Sequence, residues 1–148
     1  MRKILLYIIL SLSGIDGAWA LPIEKEGMNI YSPSLKQEVS YSIILPEGYE
    51  HSDTEYPVLY MFHGIGGDYT SWLEYGNVAR VMDKMIKKGE VEPFIMVIPD
   101  GYLSYYSDTY DGSFLYETFF IKELVPYIDN NYRTRKNVSA RSIIGFSM

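Results

Sequence analysis

The last seven residues, Ser142 to Met148, read SIIGFSM: an apolar run, a glycine, and a serine two positions later. A serine held on a sharp strand-to-helix turn exposes its hydroxyl above a sheet, where it can attack an ester carbonyl. Such a turn needs small residues two before and two after the nucleophile, because its backbone is crowded. Gly145 fills the first position, and residue 149 would be the second. Taken alone, Gly-x-Ser is a common spelling, and an ordinary loop serine is the plain alternative.

A second stretch strengthens the first. His63 to Gly67 reads HGIGG and follows another apolar run, PVLYMF. Glycines let a backbone turn tightly and aim N–H groups at a developing negative charge. Two such donors make an oxyanion hole, and losing one typically costs about 3 kcal/mol of transition-state stabilisation. Met148 would supply one N–H, and either Ile65 or Gly66 the other. A flexible glycine turn is one competing reading. A dinucleotide-binding loop is another, but it requires a third small residue where Tyr69 stands.

His63 and His51 are the two histidines. In the chain order of hydrolases with a serine elbow, the acid and the histidine follow the serine. His63 is therefore read as a support of the oxyanion loop together with Gly64 and Gly67, and His51, in an acidic polar loop, as a solvated surface residue. Downstream, GYLSYYSDTYDGSFLYET (101–118) gathers aromatic rings and carboxylates. Tyr105, Tyr106, Asp108 and Tyr110 could line a cleft that stacks on a sugar or phenolic ring, since tyrosine offers a flat face and a hydrogen-bonding tip. The alternative is a surface loop turning at Asp111-Gly112. Asn137-Val138-Ser139 spells a glycosylation sequon, which is too common to carry weight.

The elements that would position these residues follow from periodicity. EVSYSIIL (38–45) alternates and predicts a half-buried strand of edge or antiparallel type, ended by Pro46 and Gly48, with a loop over 49–56. PVLYMF (57–62), FIMVI (94–98) and SIIGF (142–146) are continuous apolar runs, as expected of strands covered on both faces. NVARVMDKMIKK (77–88) predicts a helix with Asn77 as N-cap and Val78, Val81, Met82, Met85 and Ile86 on its buried face. ETFFIKELVPYIDNNY (117–132) predicts another, with a kink at Pro126, which lacks an N–H. Strand, helix, strand, helix, strand implies an α/β fold with a largely parallel sheet, whose ligands bind beyond the carboxyl ends of the strands. The glycine loop, Asp100-Gly101 and Ser147 all fall at such ends.

Composition agrees with a globular protein: 148 residues, 47% hydrophobic and 22% charged. A net charge of −6 disfavours a nucleic-acid partner, which calls for a basic face. With no cysteine there is no disulfide framework, no thiolate metal site and no lipid-anchored cysteine. MRKILLYIILSLSGIDGAWA (1–20) has two basic residues, an apolar core and Ala18-Trp19-Ala20, the layout of a secretory signal peptide, with Asp16 its one discordant residue. Its apolar core is well short of the roughly 20 residues a bilayer span needs. Residues 21–148 would then form one exported domain, secreted or periplasmic, with no stable membrane span.

The ordered set FHGIGGD, FIMVIPDG, SYYSDTYDGSFLYETFFIKELVPYIDNNYRT and IIGFSM resembles the esterase family of α/β-hydrolases. That family includes feruloyl and acetylxylan esterases of carbohydrate esterase family one, esterase D (S-formylglutathione hydrolase) and mycolyltransferases. The resemblance covers residues 38–148. It implies an α/β-hydrolase domain with helices on both faces of a mostly parallel sheet, broken off after the nucleophile strand. It also implies Ser147 as nucleophile, Met148 and the 63–67 loop as oxyanion elements, and a triad acid and histidine beyond Met148. The implied activity is hydrolysis of feruloyl or acetyl esters on polysaccharide through an acyl-enzyme, with no cofactor and no metal. These 148 residues alone would turn over poorly for want of a base. Acyl transfer to a sugar acceptor and non-catalytic carbohydrate binding are the rival readings.

Overall fold

The computed structural model describes residues 22–148. The expected signal peptide, residues 1–20, lies outside the described residues. Five strands form one sheet: β1 (Ile23–Ser32), β2 (Gln37–Leu45), β3 (Val58–Phe62), β4 (Ile95–Pro99) and β5 (Arg141–Gly145). Their order across the sheet is β1-β2-β4-β3-β5. β3 runs parallel to β4 on one side and to β5 on the other, while β2 is antiparallel to both β4 and β1. The sheet is therefore mixed, with a parallel half that carries the three strand ends of interest.

The N-terminal half differs from expectation in two ways. β2 is antiparallel, but it lies inside the sheet, and Tyr41 to Leu45 are buried on both faces instead of alternating. The strand that takes the edge is β1, which the apolar pattern does not announce. Its sequence, IEKEGMNIYS, is charged and carries Gly27 at φ 64, beside a register shift between Lys25 and Met28. Charge and a bulge on an edge strand discourage pairing with other chains, and the same features hide the strand from a hydrophobicity reading.

Between β3 and β4 lie α1 (Ser71–Glu74) and α2 (Val78–Lys87). Val78, Ala79 and Met82 pack with Ile44, Met61, Met96 and Ile98 on one face of the sheet. Val81, expected on the buried face, is half exposed. Asn77 precedes the helix but makes no side-chain cap; it sits in the left-handed region at φ 47, which asparagine tolerates, and its carbonyl accepts from Val81 N–H.

Between β4 and β5, α3 (Tyr116–Phe119) runs into a π-helical turn (Phe120–Leu124) and then α4 (Val125–Asn131). Tyr116, Phe119, Phe120, Leu124 and Ile128 cover the other face of the sheet, against Tyr41, Ile43, Tyr60 and Val97. The disturbance expected at Pro126 takes the form of that wide turn: Val125 N–H donates to Phe120 O, five residues back, just before the proline that has no N–H to give. Helices thus sit on both faces, and α4 is tied to β5 by the Asp129–Arg141 ion pair.

From β3 the chain moves to β4 on one side, then crosses back to β5 on the other. The reversal of direction leaves a crevice at the carboxyl ends of β3 and β5, the usual ligand position in open α/β sheets.

Candidate active site

Phe62 ends β3, and the five residues after it form the glycine loop. Gly67 N–H donates to Gly64 O at 3.1 Å, closing a four-residue turn, and Gly66 has φ 79, a value that favours glycine at the third position of a type II turn. His63 is fully buried and holds this turn from within. Its Nδ1–H donates to Gly64 O at 2.8 Å, and its Nε2 accepts from Gly101 N–H at 2.8 Å. The two bonds together specify the neutral Nδ1–H tautomer. Burial opposes charge on this ring, while the Asp100 carboxylate, 3.6 Å from Nε2, and the Gly64 carbonyl favour it and raise its pKa overall. In this tautomer the lone pair on Nε2 is committed to Gly101.

With Gly64 O and Gly67 N–H used, the N–H groups of Ile65 and Gly66 donate to no group among the described residues. Ile65 itself is exposed. These are the two donors considered for the loop's share of an oxyanion hole.

Ser147 stands one residue past Phe146, just beyond the end of β5, at φ 62. A left-handed conformation is uncommon for a residue with a Cβ and marks stored strain, often at functional positions. Its hydroxyl makes no hydrogen bond among the described residues. The turn lies directly on the glycine loop: a Cβ placed on Gly64 would come 2.9 Å from the Phe146 ring and 3.2 Å from Ser147 Cβ. Only a residue without a side chain lets β3's loop and β5's turn meet so closely. Phe146 then packs edge-on against Trp72 of α1, with ring centroids 5.3 Å apart, and Trp72 Nε1–H donates to Phe62 O at 3.2 Å.

An open hollow of about 380 Å³ lies over Ser147, walled by Phe62, Tyr105, Tyr106, Gly145, Phe146 and Met148. Tyr106 stacks on Phe62 at 4.1 Å between centroids and donates its hydroxyl to His63 O at 2.8 Å. Burial raises its pKa, so it remains a neutral wall whose polar tip is already occupied. Tyr105 is exposed on the rim. Asp108, grouped with them on sequence, does not line the hollow. Its carboxylate accepts from Thr118 N–H at 3.0 Å and Thr118 hydroxyl at 2.6 Å, anchoring the start of α3, and these bonds hold its pKa down.

The structure thus brings together Ser147, Met148, Gly64 and Tyr105 with Tyr106, and ties them to His63. It adds Phe62, Phe146 and Trp72, whose role sequence reasoning did not assign. Phe62 and Phe146 were visible only as ends of apolar runs, and Trp72 had no pattern to flag it. His51 is exposed in the turn Tyr49–His51 between β2 and β3, at the amino ends of the parallel strands and so across the sheet from Ser147. Among the described residues no group of three or more His, Asp or Glu could hold a metal ion, and no helix is long and apolar enough to cross a membrane.

The family model described as "Putative esterase" matches residues 32–148. The chain belongs to this esterase family. It is 34% identical over 128 residues to an endo-1,4-beta-xylanase/feruloyl esterase of Xylanibacter ruminicola, a match covering 82% of this chain and 18% of that protein. Among solved structures it resembles a ferulic acid esterase with a TM-score of 0.81 and 32% identity over 86% of this chain and 49% of the other. It also resembles a CE1 ferulic acid esterase of Anaeromyces mucronatus in complex with ferulic acid, with a TM-score of 0.74 and 26% identity over 89% and 51%. The esterase-family chain has the α/β-hydrolase fold of these neighbours. It spans about half the length of the two solved structures and under a fifth of the xylanase/feruloyl esterase.

Proposed function

We propose that this protein is an exported serine carboxylesterase that removes feruloyl or acetyl groups from polysaccharide through an acyl-enzyme. The observation that carries the proposal is the meeting of Ser147 with the 63–67 loop. A strained serine with an unengaged hydroxyl lies against a turn whose Ile65 and Gly66 N–H groups are also unengaged.

In this reading Ser147 Oγ attacks the acyl carbonyl carbon, and its proton passes to a base. The carbonyl oxygen becomes an oxyanion held by Met148 N–H and a loop N–H; the tetrahedral adduct collapses and the sugar alcohol leaves with a proton. Water then attacks the acyl-serine by the same route and frees the acid. His63 cannot take the proton, since both its ring nitrogens are engaged and it is buried, and His51 is across the sheet. The base in this reading is the histidine that the family resemblance implies beyond Met148. Export rests on the leader-like residues 1–20, and the polysaccharide substrate on the aromatic rim and on the named activities of the relatives.

The test uses the natural full-length protein with methyl ferulate and acetylated xylan. Hydrolysis is expected, together with fluorophosphonate labelling at Ser147. Ser147→Ala is expected to lower kcat/KM by roughly 10⁴-fold or more. Turnover that survives this change, or no turnover with either ester, would sink the proposal.

A further inference from the structure

On the far side of Tyr105 lies a second open hollow, of about 400 Å³, lined by Tyr102, Leu103, Ser104, Tyr105, Thr109 and Phe114. We propose that this hollow is a sugar subsite, holding a ring of the polysaccharide chain that carries the ester cleaved at Ser147; the proposal rests on the esterase reading and extends it.

The segment that builds it is held in an unusual shape. Tyr102, Tyr105 and Tyr106 all have positive φ, at 51, 53 and 57. Three non-glycine residues in the left-handed region within five positions cost free energy, and such conformations persist only when their surroundings over-determine them. Here they do. Tyr102 N–H donates to Asp100 Oδ1 at 2.9 Å, Ser104 hydroxyl to Gly101 O at 2.6 Å, and Tyr106 N–H to Ser104 Oγ at 3.0 Å. Tyr102 hydroxyl reaches Glu38 O at 3.2 Å, and its ring meets Phe114 edge-on with centroids 6.0 Å apart. The result is a rigid frame that leaves Leu103 and Tyr105 69% and 63% exposed. Neither side chain adds burial energy among the described residues, and both offer carbon surface beside the hollow.

The chemistry of the lining selects the occupant. Three of its hydroxyls are already used: Tyr102 and Ser104 as described, and Thr109 Oγ1 with Ser113 Oγ and Phe114 N–H. No cationic side chain lines it, and the one side-chain hydroxyl of the lining without a partner among the described residues, that of Tyr105, stands on an exposed ring open to water, a neutral donor and acceptor that suits a sugar hydroxyl and not a charged ligand. What remains is carbon surface with aromatic faces, open to water. A pyranose ring matches this, because its C–H face stacks on an aromatic ring while its hydroxyls stay hydrated. The acyl group has its own place in the neighbouring hollow, against Phe62, Tyr106 and Phe146. Tyr105 is the wall common to both. A ring seated beyond it therefore lies on the alcohol side of the ester.

The experiment compares the full-length protein with Leu103→Asp, a change at an exposed residue that lines only the second hollow. Two readouts are taken: binding of an unesterified xylo-oligosaccharide by NMR, and the ratio of kcat/KM for a feruloylated xylo-oligosaccharide to that for methyl ferulate. The expected results are perturbation of Tyr102, Tyr105 and Phe114 resonances by the oligosaccharide, binding weakened ~10-fold by Leu103→Asp, and a similar fall in the ratio, carried by KM. Absence of binding, binding indifferent to Leu103→Asp, or an unchanged ratio would overturn the subsite. So would a fall in methyl ferulate turnover relative to methyl acetate, which would place the aryl ring in this hollow instead. Failure of the esterase reading itself shows separately, as oligosaccharide binding without Ser147-dependent hydrolysis.

Discussion

β4 and β5 flank β3 on opposite sides, each five residues long and each parallel to it, and their apolar runs read alike. Yet every residue of β4 is buried, whereas Ser142 to Gly145 of β5 are exposed. The difference is the next neighbour. β4 is paired again by β2 and covered by helices on both faces, while β5 has no strand on its outer side among the described residues. An apolar run thus reports that a strand can be covered, and its partners decide whether it is. The ends of the two strands differ in the opposite sense to what reactivity would ask of a buried site. At β4, Asp100 N–H donates to Ser40 O, Gly101 N–H to His63, and Tyr116 hydroxyl to Asp100 O. At β5, Ser147 has its hydroxyl unengaged. One end is tied by hydrogen bonds, and the other leaves a hydroxyl open, as the proposed nucleophile requires.

The largest expected contrast is in stability. Ile98 of β4 is completely buried and Ile144 of β5 is 44% exposed. Ile98→Ala should cost about 3 kcal/mol by lost transfer energy and the cavity left behind. Ile144→Ala in the same 148-residue chain should cost less than about 1 kcal/mol. Urea unfolding of the two variants measures both. Equal losses would break the comparison, because they would mean that β5 is covered in solution as fully as β4.

How much of this was legible beforehand follows from the same contrast. The three parallel strands were placed to within a residue because buried parallel strands are written as continuous apolar runs. Their order, and β1's place at the sheet's edge, were not, since neither depends on a strand's own composition. The glycine loop and Ser147 were legible as spacing. That Ser147 is left-handed, and that Gly64 must lack a side chain to meet it, are properties of two segments some 80 positions apart in sequence, and no local pattern encodes their approach. Asp108 shows the reverse error: its neighbours Tyr105 and Tyr106 suggested a cleft, but a carboxylate ten residues before a threonine at the start of a helix found a stronger local use.

A smaller effect sharpens the contrast between scaffold and reactive ends. Ser147→Gly removes the side chain that makes φ 62 costly and should stabilise the chain by up to about 1 kcal/mol, even as it removes the proposed nucleophile. His63→Ala, at the tied end, should act the other way, destabilising by about 2 kcal/mol as Gly101 N–H and Gly64 O lose their shared partner. Thermal or urea unfolding reads both signs. A destabilised Ser147→Gly would show that the hydroxyl holds the turn together, and the strain argument for its function would fall.

The smallest predicted effect concerns acid. The loop that leaves β4 is fastened by carboxylates: Asp111 accepts from Ser113 hydroxyl at 2.7 Å and N–H at 3.0 Å, and these bonds lower its pKa to about 2. Asp108 is lowered by Thr118 in the same way. A carboxylate whose folded pKa lies below its unfolded value, roughly 3.9, contributes stability that is fully present above that value. The contribution is lost as the pH falls toward the folded pKa, so this loop should loosen between about pH 4 and pH 2. Ser142 to Gly145 contain no carboxylate and should not share the transition. Amide proton shifts followed by NMR through this range test it residue by residue: Ser113 should titrate with a midpoint near 2, and Asp111→Asn should abolish that midpoint. A Ser113 midpoint near the ordinary aspartate value would mean that the carboxylate holds nothing in the folded chain.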